Sequence, residues 1–264
     1  AIRVHASIGV PAIFDAADEV GLLLEDQSSI WSVGRAWYTR GGQEFLANTR
    51  KEFEEWIKRD RNHPSVVIWG VENEMLRGFP NKAVLNWVKE LTDVIRKYDR
   101  TRPLQHDGAC CAFGLEEHYH VHHEENYINI LKAWSKKRDK PIIMGEWWIG
   151  GRSFFGGRRL INGAEYKDAE EYFDIEGKLF KEKIDEMRAF GVSGIMPYYW
   201  SWGCFLPVFN KPPALKWEDL TAPGPKPEKG ELWFNPGWIK DAPTYKLREP
   251  YASYFRLGFS PLFI

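Results

Sequence analysis

Two glutamates in this chain stand where a carboxylate is costly unless something meets it. The run Arg61-Asn62-His63-Pro64-Ser65-Val66-Val67-Ile68-Trp69-Gly70-Val71-Glu72-Asn73-Glu74 starts from a proline that biases His63 away from helix. It continues through the apolar, β-branched stretch Val66 to Trp69, the pattern of a strand buried on both faces, and ends in two carboxylates and an amide. Lys140-Pro141-Ile142-Ile143-Met144-Gly145-Glu146-Trp147-Trp148 has the same form, with one carboxylate before two large aromatics. Charge at the end of an apolar strand calls for water, a partner or a substrate. Two carboxylates at the same edge of a parallel sheet can divide chemistry between them, one as proton donor and one as base or nucleophile. A single glutamate after a strand is ordinarily structural; two on matching strands invite the catalytic reading.

The elements that would hold them follow from the rest of the chain. Ile2-Arg3-Val4-His5-Ala6 alternates like a strand, with Arg3 and His5 on one face. Pro11 opens a helix with Ile13, Phe14, Ala17 and Val20 at helical spacing, and Gly21 sits at its left-handed cap. Leu22-Leu23-Leu24 predicts a short buried strand ending in Glu25-Asp26-Gln27. Residues 43–61 carry Phe45, Thr49, Phe53, Trp56 and Ile57 on one stripe, and a further helix runs from Pro80 to Tyr98. Strands at Leu104-Gln105-His106-Asp107 and at Leu115 to Val121 follow, then helices at Tyr127 to Lys137 and Ala169 to Phe190 and a last strand at Ile195 to Trp200. Gly150-Gly151-Arg152 and Gly156-Gly157-Arg158-Arg159 read as a loop over the site. The βαβα order predicts an α/β fold with a parallel sheet, and in (β/α) barrels the C-terminal edge of the strands is the catalytic face.

Asn62-His63-Pro64-Ser65-Val66-Val67-Ile68-Trp69 followed by Asn73-Glu74, and Pro141-Ile142-Ile143-Met144-Gly145-Glu146, resemble the acid/base and nucleophile signatures of glycoside hydrolase family 2, the β-galactosidases, β-glucuronidases and β-mannosidases. The resemblance runs from residue 1 to about residue 205 and implies an α/β (β/α)8 TIM barrel acting on a carbohydrate substrate, a β-glycoside or oligosaccharide. Seven strands are found where a closed barrel needs eight. The first strand is therefore expected before Ala1, with 1–205 as the barrel, 206–264 as a Pro-rich extension, and further domains of the same polypeptide beside it.

By the same resemblance Glu74 is the acid/base and Glu146 the nucleophile of a retaining double displacement. An ionised Glu146 would favour a proton on Glu74 by like-charge repulsion, which vanishes once Glu146 is esterified. Asn73 is expected on the sugar 2-hydroxyl, Arg3 beside Glu146 with His5 on its strand face, and Trp200 as an apolar platform under the ring. Related barrels place a His and a Tyr two residues apart near the nucleophile. Here His118 and His120 have that spacing with Tyr119 between them, which leaves the nucleophile's partner open among the three. Glu72 is the rival acid, since strict alternation puts it on the same face as Glu74. The Asn-x-Lys motif expected of an acid-recognising β-glucuronidase is not matched by Asn210-Lys211-Pro212.

Composition narrows the alternatives. A net charge of −1 over 264 residues gives no general attraction for nucleic acid or an anionic membrane, and neither is expected as a partner. Aromatic residues make up 15% of the chain, with 13 Trp, and suit both sugar stacking and core filling. Three cysteines, Cys110 and Cys111 adjacent, make no disulfide framework. The glycosidase reading calls for no cofactor and no metal. Two other readings stand beside it: a metal-dependent hydrolase built on His118 and His120 with help from His5, His106 and Asp107, and a non-catalytic sugar-binding barrel.

Overall fold

The computed structural model describes residues 1–31, 41–76, 82–108, 115, 117–122, 126–147, 160–161, 164–165, 169–197, 239–241, 246–247, 253–254 and 257. The elements in order are β1 (Ile2–Val4), α1 (Pro11–Val20), β2 (Leu24–Gln27), α2 (Gly42–Asp60), β3 (Val66–Asn73), α3 (Lys82–Tyr98), β4 (Leu104–Asp107), β5 (Tyr119–Val121), α4 (Tyr127–Lys137), β6 (Ile142–Trp147), β7 (Leu160–Ile161), β8 (Ala164–Glu165), α5 (Ala169–Phe190), β9 (Gly194–Pro197), β10 (Ile239–Asp241) and β11 (Lys246–Leu247). A strand is present near each of the seven expected places, although the one foreseen at Leu22-Leu23-Leu24 starts only at Leu24 and continues to Gln27, with Leu23 exposed. The one foreseen from Leu115 is shorter, because Leu115 packs on the outer core and pairing starts only at Tyr119.

Residues 1–147 with 192–196 form one compact unit; residues 148–191 with 197–264 form another. In the first, β1, β2, β3 and β4 hydrogen-bond in that order as a parallel sheet, and β5, β6 and β9 form a second sheet in which β5 and β6 are parallel. Ile68 of β3 meets Ile143 of β6 and Met196 of β9, so the two sheets enclose a common interior. The second unit contains α5 and the antiparallel hairpins β7–β8 and β10–β11.

The helices cover the outer face of the first sheet. Phe14 of α1, Phe53, Trp56 and Ile57 of α2, and Val84, Trp87, Val88, Leu91 and Ile95 of α3 bury against Leu24, Trp69, Val71 and Leu104. Trp56 stands edge-on to both Phe53 and Trp69, ring centroids 5.3 Å apart in each case. Each such aromatic removes roughly 150–250 Å² from water, a gross gain on the order of 4–6 kcal/mol. Two of the indole N–H groups have carboxylate partners: Trp56 Nε1 donates to Asp26 Oδ2 at 2.6 Å and Trp69 Nε1 to Asp99 Oδ2 at 2.9 Å. Gly21 caps α1 in the left-handed region, φ 71°, with its N–H on Ala17 O, as the sequence predicts.

The inner face is polar toward the strand ends. Arg3 lies opposite Glu25 in the β1–β2 register and Asn73 opposite Asp107 in β3–β4. Gly70 makes room for this, since a Cβ there would lie 2.8 Å from Glu25 Oε1 and 2.9 Å from Gln27 Cβ.

Candidate active site

Both candidate glutamates depart from strand geometry in the same way. Alternation along β6 turns Ile143 and Gly145 inward and would turn Glu146 outward, yet Glu146 has φ 41°. Glu74, just after inward-facing Asn73, has φ 58°. A left-handed backbone is unfavourable for a residue with a Cβ and persists where surroundings impose it, commonly at functional sites. Here it lets two consecutive residues at each strand end face the same interior. At Glu74 the turn is pinned by its N–H donating to Asp107 O at 2.8 Å, and it is crowded by Gly108, where a Cβ would come within 3.1 Å of Glu74 Cγ.

His122 joins the two carboxylates. Its Nε2 lies 3.0 Å from Glu146 Oε2 and 3.4 Å from Glu74 Oε1. Those two oxygens are therefore separated by no more than the sum of the two distances, 6.4 Å. Burial works against a charge on the imidazole, but the bonds to Glu146 and Glu74 outweigh it and raise its pKa.

Glu146 is also paired with Arg3, whose Nη2 donates to Oε2. Although burial pushes the Glu146 carboxyl up, His122 and Arg3 bring it down to about 2. Arg3 is itself held from behind, with Nη1 2.9 Å from Asp107 Oδ1 and 3.4 Å from Asn73 Oδ1, and Nη2 3.3 Å from His5 Nδ1. Burial disfavours its charge, yet Asp107 and Glu146 keep it firmly protonated. His5 is lowered by burial and by Arg3, so it sits neutral against the guanidinium.

Beneath this layer Gln105 Nε2 donates to Glu25 Oε2 at 2.7 Å and to Asp107 Oδ1 at 2.8 Å. Glu25 and Asp107 repel each other in a fully buried space. Burial raises Glu25 and leaves it the neutral acid; Arg3 and His120 overcome burial at Asp107 and keep it ionised.

The histidine segment sorts by alternation. His118 donates to Gln105 Oε1 at 2.7 Å, below the site, so it does not touch the nucleophile. Tyr119 points away from the interior and donates to Asp139 Oδ2 at 3.0 Å, which removes it from the substrate-binding set. His120 accepts from the Gly108 N–H at 3.3 Å through Nδ1, leaving Nε2 to carry the proton 2.9 Å from Asp107 Oδ1. Gly145 is what admits this ring: a Cβ there would lie 1.7 Å from His120 Nε2. The nucleophile candidate's histidine partner is thus His122, the next inward residue after His120, which the two-residue spacing could have carried one step further.

Glu72, the rival acid, lies at a register shift between Gly70 and Glu72. The bulge turns it outward, where Oε2 accepts the Met75 N–H at 2.6 Å and Oε1 faces His106 Nδ1 at 3.6 Å. His106 is therefore no ligand candidate for the interior. The alternative metal reading draws on His118 and His120, and His118 is taken up by Gln105. Among the described residues the grouping that could hold a cation is Asp107, His120 and His122, with ligand atoms within 4.8 Å of one another. Trp200 and the glycine-rich loop lie outside the described residues.

A model of the TIM barrel domain of the family 2 glycosyl hydrolases matches residues 10–174. The β-galactosidases of Alteromonas mediterranea and Enterobacter cloacae are each 30% identical over 101 residues, which is 38% of this chain and 9% of theirs. Among solved structures, a β-glucuronidase from an uncultured Clostridium sp. superposes with TM-score 0.60 at 17% identity, over 96% of this chain and 43% of that one. The β-glucuronidase of Ruminococcus gnavus gives 0.58 at 16% over 96% and 42%. The β-galacturonidase of Eisenbergiella tayi gives 0.56 at 21% over 75% and 37%. The matched stretch spans less than half of each of these relatives.

Proposed function

Because the chain belongs to glycoside hydrolase family 2 and carries that family's α/β TIM barrel, we propose that it is a retaining β-glycosidase with Glu146 as nucleophile and Glu74 as acid/base. The observation that carries the reading is the His122 bridge, which limits the two carboxylate oxygens to 6.4 Å. Retaining enzymes hold their carboxyls roughly 5–5.5 Å apart, whereas inverting ones need roughly 6.5–9.5 Å to seat a water between nucleophile and sugar.

In the first step a Glu146 oxygen bonds the anomeric carbon as Glu74 passes its proton to the departing oxygen, and the leaving group goes free. In the second, Glu74 takes a proton from water, whose oxygen replaces Glu146 at that carbon. Arg3 and His122 keep Glu146 ionised for the attack, and Asn73, tethered to Arg3, is set to meet the sugar 2-hydroxyl. His5 and His120 act through Arg3 and Asp107 and hold the floor of the sugar site. Which β-linked sugar is taken is found by a panel of aryl β-glycosides on the full-length protein. Proton NMR of the first-formed product tests the mechanism: the β-anomer supports it, the α-anomer overturns the nucleophile assignment.

The second reading, a metal-dependent hydrolase, draws on the Asp107, His120 and His122 grouping. Against it, Arg3 already occupies Asp107 Oδ1 at 2.9 Å and a cation would have to displace that guanidinium. Turnover that survives a chelator removes it.

A further inference from the structure

Trp31 lies four residues beyond the end of β2 and forms a parallel bridge with Asn73, the residue before Glu74. Partners across a parallel bridge present their side chains on the same face, and Asn73 turns its carboxamide inward to Arg3 Nη1 at 3.4 Å. The neighbour on the other side agrees, since Ile30 is 6% exposed and packs in the outer core, which puts Trp31 on the opposite, inner face. Yet Trp31 is 44% exposed, the one aromatic among the exposed large hydrophobic residues described. An indole with nearly half of its surface in water beside a buried polar site offers an apolar face to a ligand.

Exposure rises outward from the nucleophile. The Glu146 side chain is 7% exposed, Glu74 19%, and Trp31 stands one strand over from Glu74 at the rim. The sugar whose anomeric carbon meets Glu146 must fill the deep end, and the bond to be broken lies at Glu74. What extends past Glu74 toward solvent is the leaving group. We propose that Trp31 is the platform of the leaving-group site, stacking on the C–H face of the pyranose ring that Glu74 protonates away and that later yields its place to water. This rests on Glu74 being the acid/base. It makes the chain a hydrolase for substrates with a sugar on the departing side, and not only for simple glycosides.

The test compares Trp31→Ala and Trp31→Phe with the unmodified full-length protein on two substrates sharing the glycone found by the aryl panel. One is the β-linked disaccharide, the other the β-glycosyl fluoride, whose leaving group is a single atom. For Trp31→Ala the ratio of kcat/KM on disaccharide to that on fluoride should fall about two- to tenfold, the size of one lost aromatic contact, with Trp31→Phe restoring most of it. A 2-deoxy-2-fluoro glycosyl fluoride should label Glu146, and free acceptor sugar should speed release of that label saturably in the unmodified protein but not in Trp31→Ala. Equal losses on both substrates, or saturable release unchanged in Trp31→Ala, would overturn the platform while a label on Glu146 leaves the parent reading standing. A label elsewhere would overturn the parent reading and the platform with it.

Discussion

At the scale of single residues, the two glutamates should answer differently to truncation. On the proposed mechanism Glu146→Ala removes the nucleophile, so turnover should drop by several orders of magnitude, with azide restoring product of inverted configuration. Glu74→Ala removes a proton donor, and substrates with good leaving groups need little protonation, so kcat/KM should fall far more for alkyl than for dinitrophenyl glycosides. Equal losses on both would contradict the division of roles. Glu72 supplies the control. Its carboxyl is fully buried on the outer side, so Glu72→Gln should lower stability while leaving the leaving-group dependence of the unmodified protein intact. The candidate acid next to Asn73 was legible from the motif; the bulge that turns Glu72 away from the interior was not, because strict alternation cannot show it. Glu25 escaped for a related reason. Its place at the end of Leu22-Leu23-Leu24 marks a strand end, but only the fold brings Asp107 and Arg3 to it from other strands.

At the scale of elements, β5 and β6 fit because one of them lacks a side chain. Gly145→Ala would drive a methyl into His120 Nε2 and push the imidazole off Asp107, loosening Arg3 and Glu146 in turn. The expected result is a folded protein with melting lowered by several degrees and kcat reduced at least tenfold, read by calorimetry and steady-state rates; unchanged kcat would show that His120 is a bystander. The contact of β2 with α2 carries a second prediction. Burial pushes Asp26 up to about 8, beside Asp60, which Arg59 grips with Nε at 2.6 Å. The folded state thus keeps a proton that the unfolded chain sheds near 3.8, and the stabilisation present at low pH is lost as pH rises toward 8. Asp26→Asn can still accept from Trp56 and should leave the melting temperature near pH 4 unchanged while raising it at pH 8. The helices themselves, α1 from Pro11 to Gly21 and α4 from Tyr127 to Lys137, could be read directly, since periodicity and caps are local. The pairing that brings Asp107 under Arg3 joins residues of distant strands and leaves no local trace.

At the scale of the whole molecule, the interior stacks charge in layers: neutral His118 and Glu25 below, Arg3 between Asp107 and Glu146 above, and His122 across both catalytic candidates. Sequence could show that these residues fall at strand ends, and the parallel order they share, because apolar runs and helical spacing repeat along the chain. It could not show the layering, which depends on stagger between strands. That layering sets the acid limit of the fold. Burial lowers His118 from its ordinary 6.5 to about 4, and His5 and His120 are lowered too. The unfolded chain therefore binds these protons first as pH falls below 6.5, and stability present above that value declines down to about 4. The depressed carboxylates of Glu146 and Asp107 act in the same direction at lower pH still. His118→Gln replaces a neutral donor to Gln105 with another that cannot charge. Chemical denaturation at pH 7 and pH 4.5 should show the unmodified protein losing on the order of 1–3 kcal/mol more than the variant between the two. An identical loss in both would mean that His118 is not held neutral by the fold and that the acid limb belongs to His5 and His120 alone.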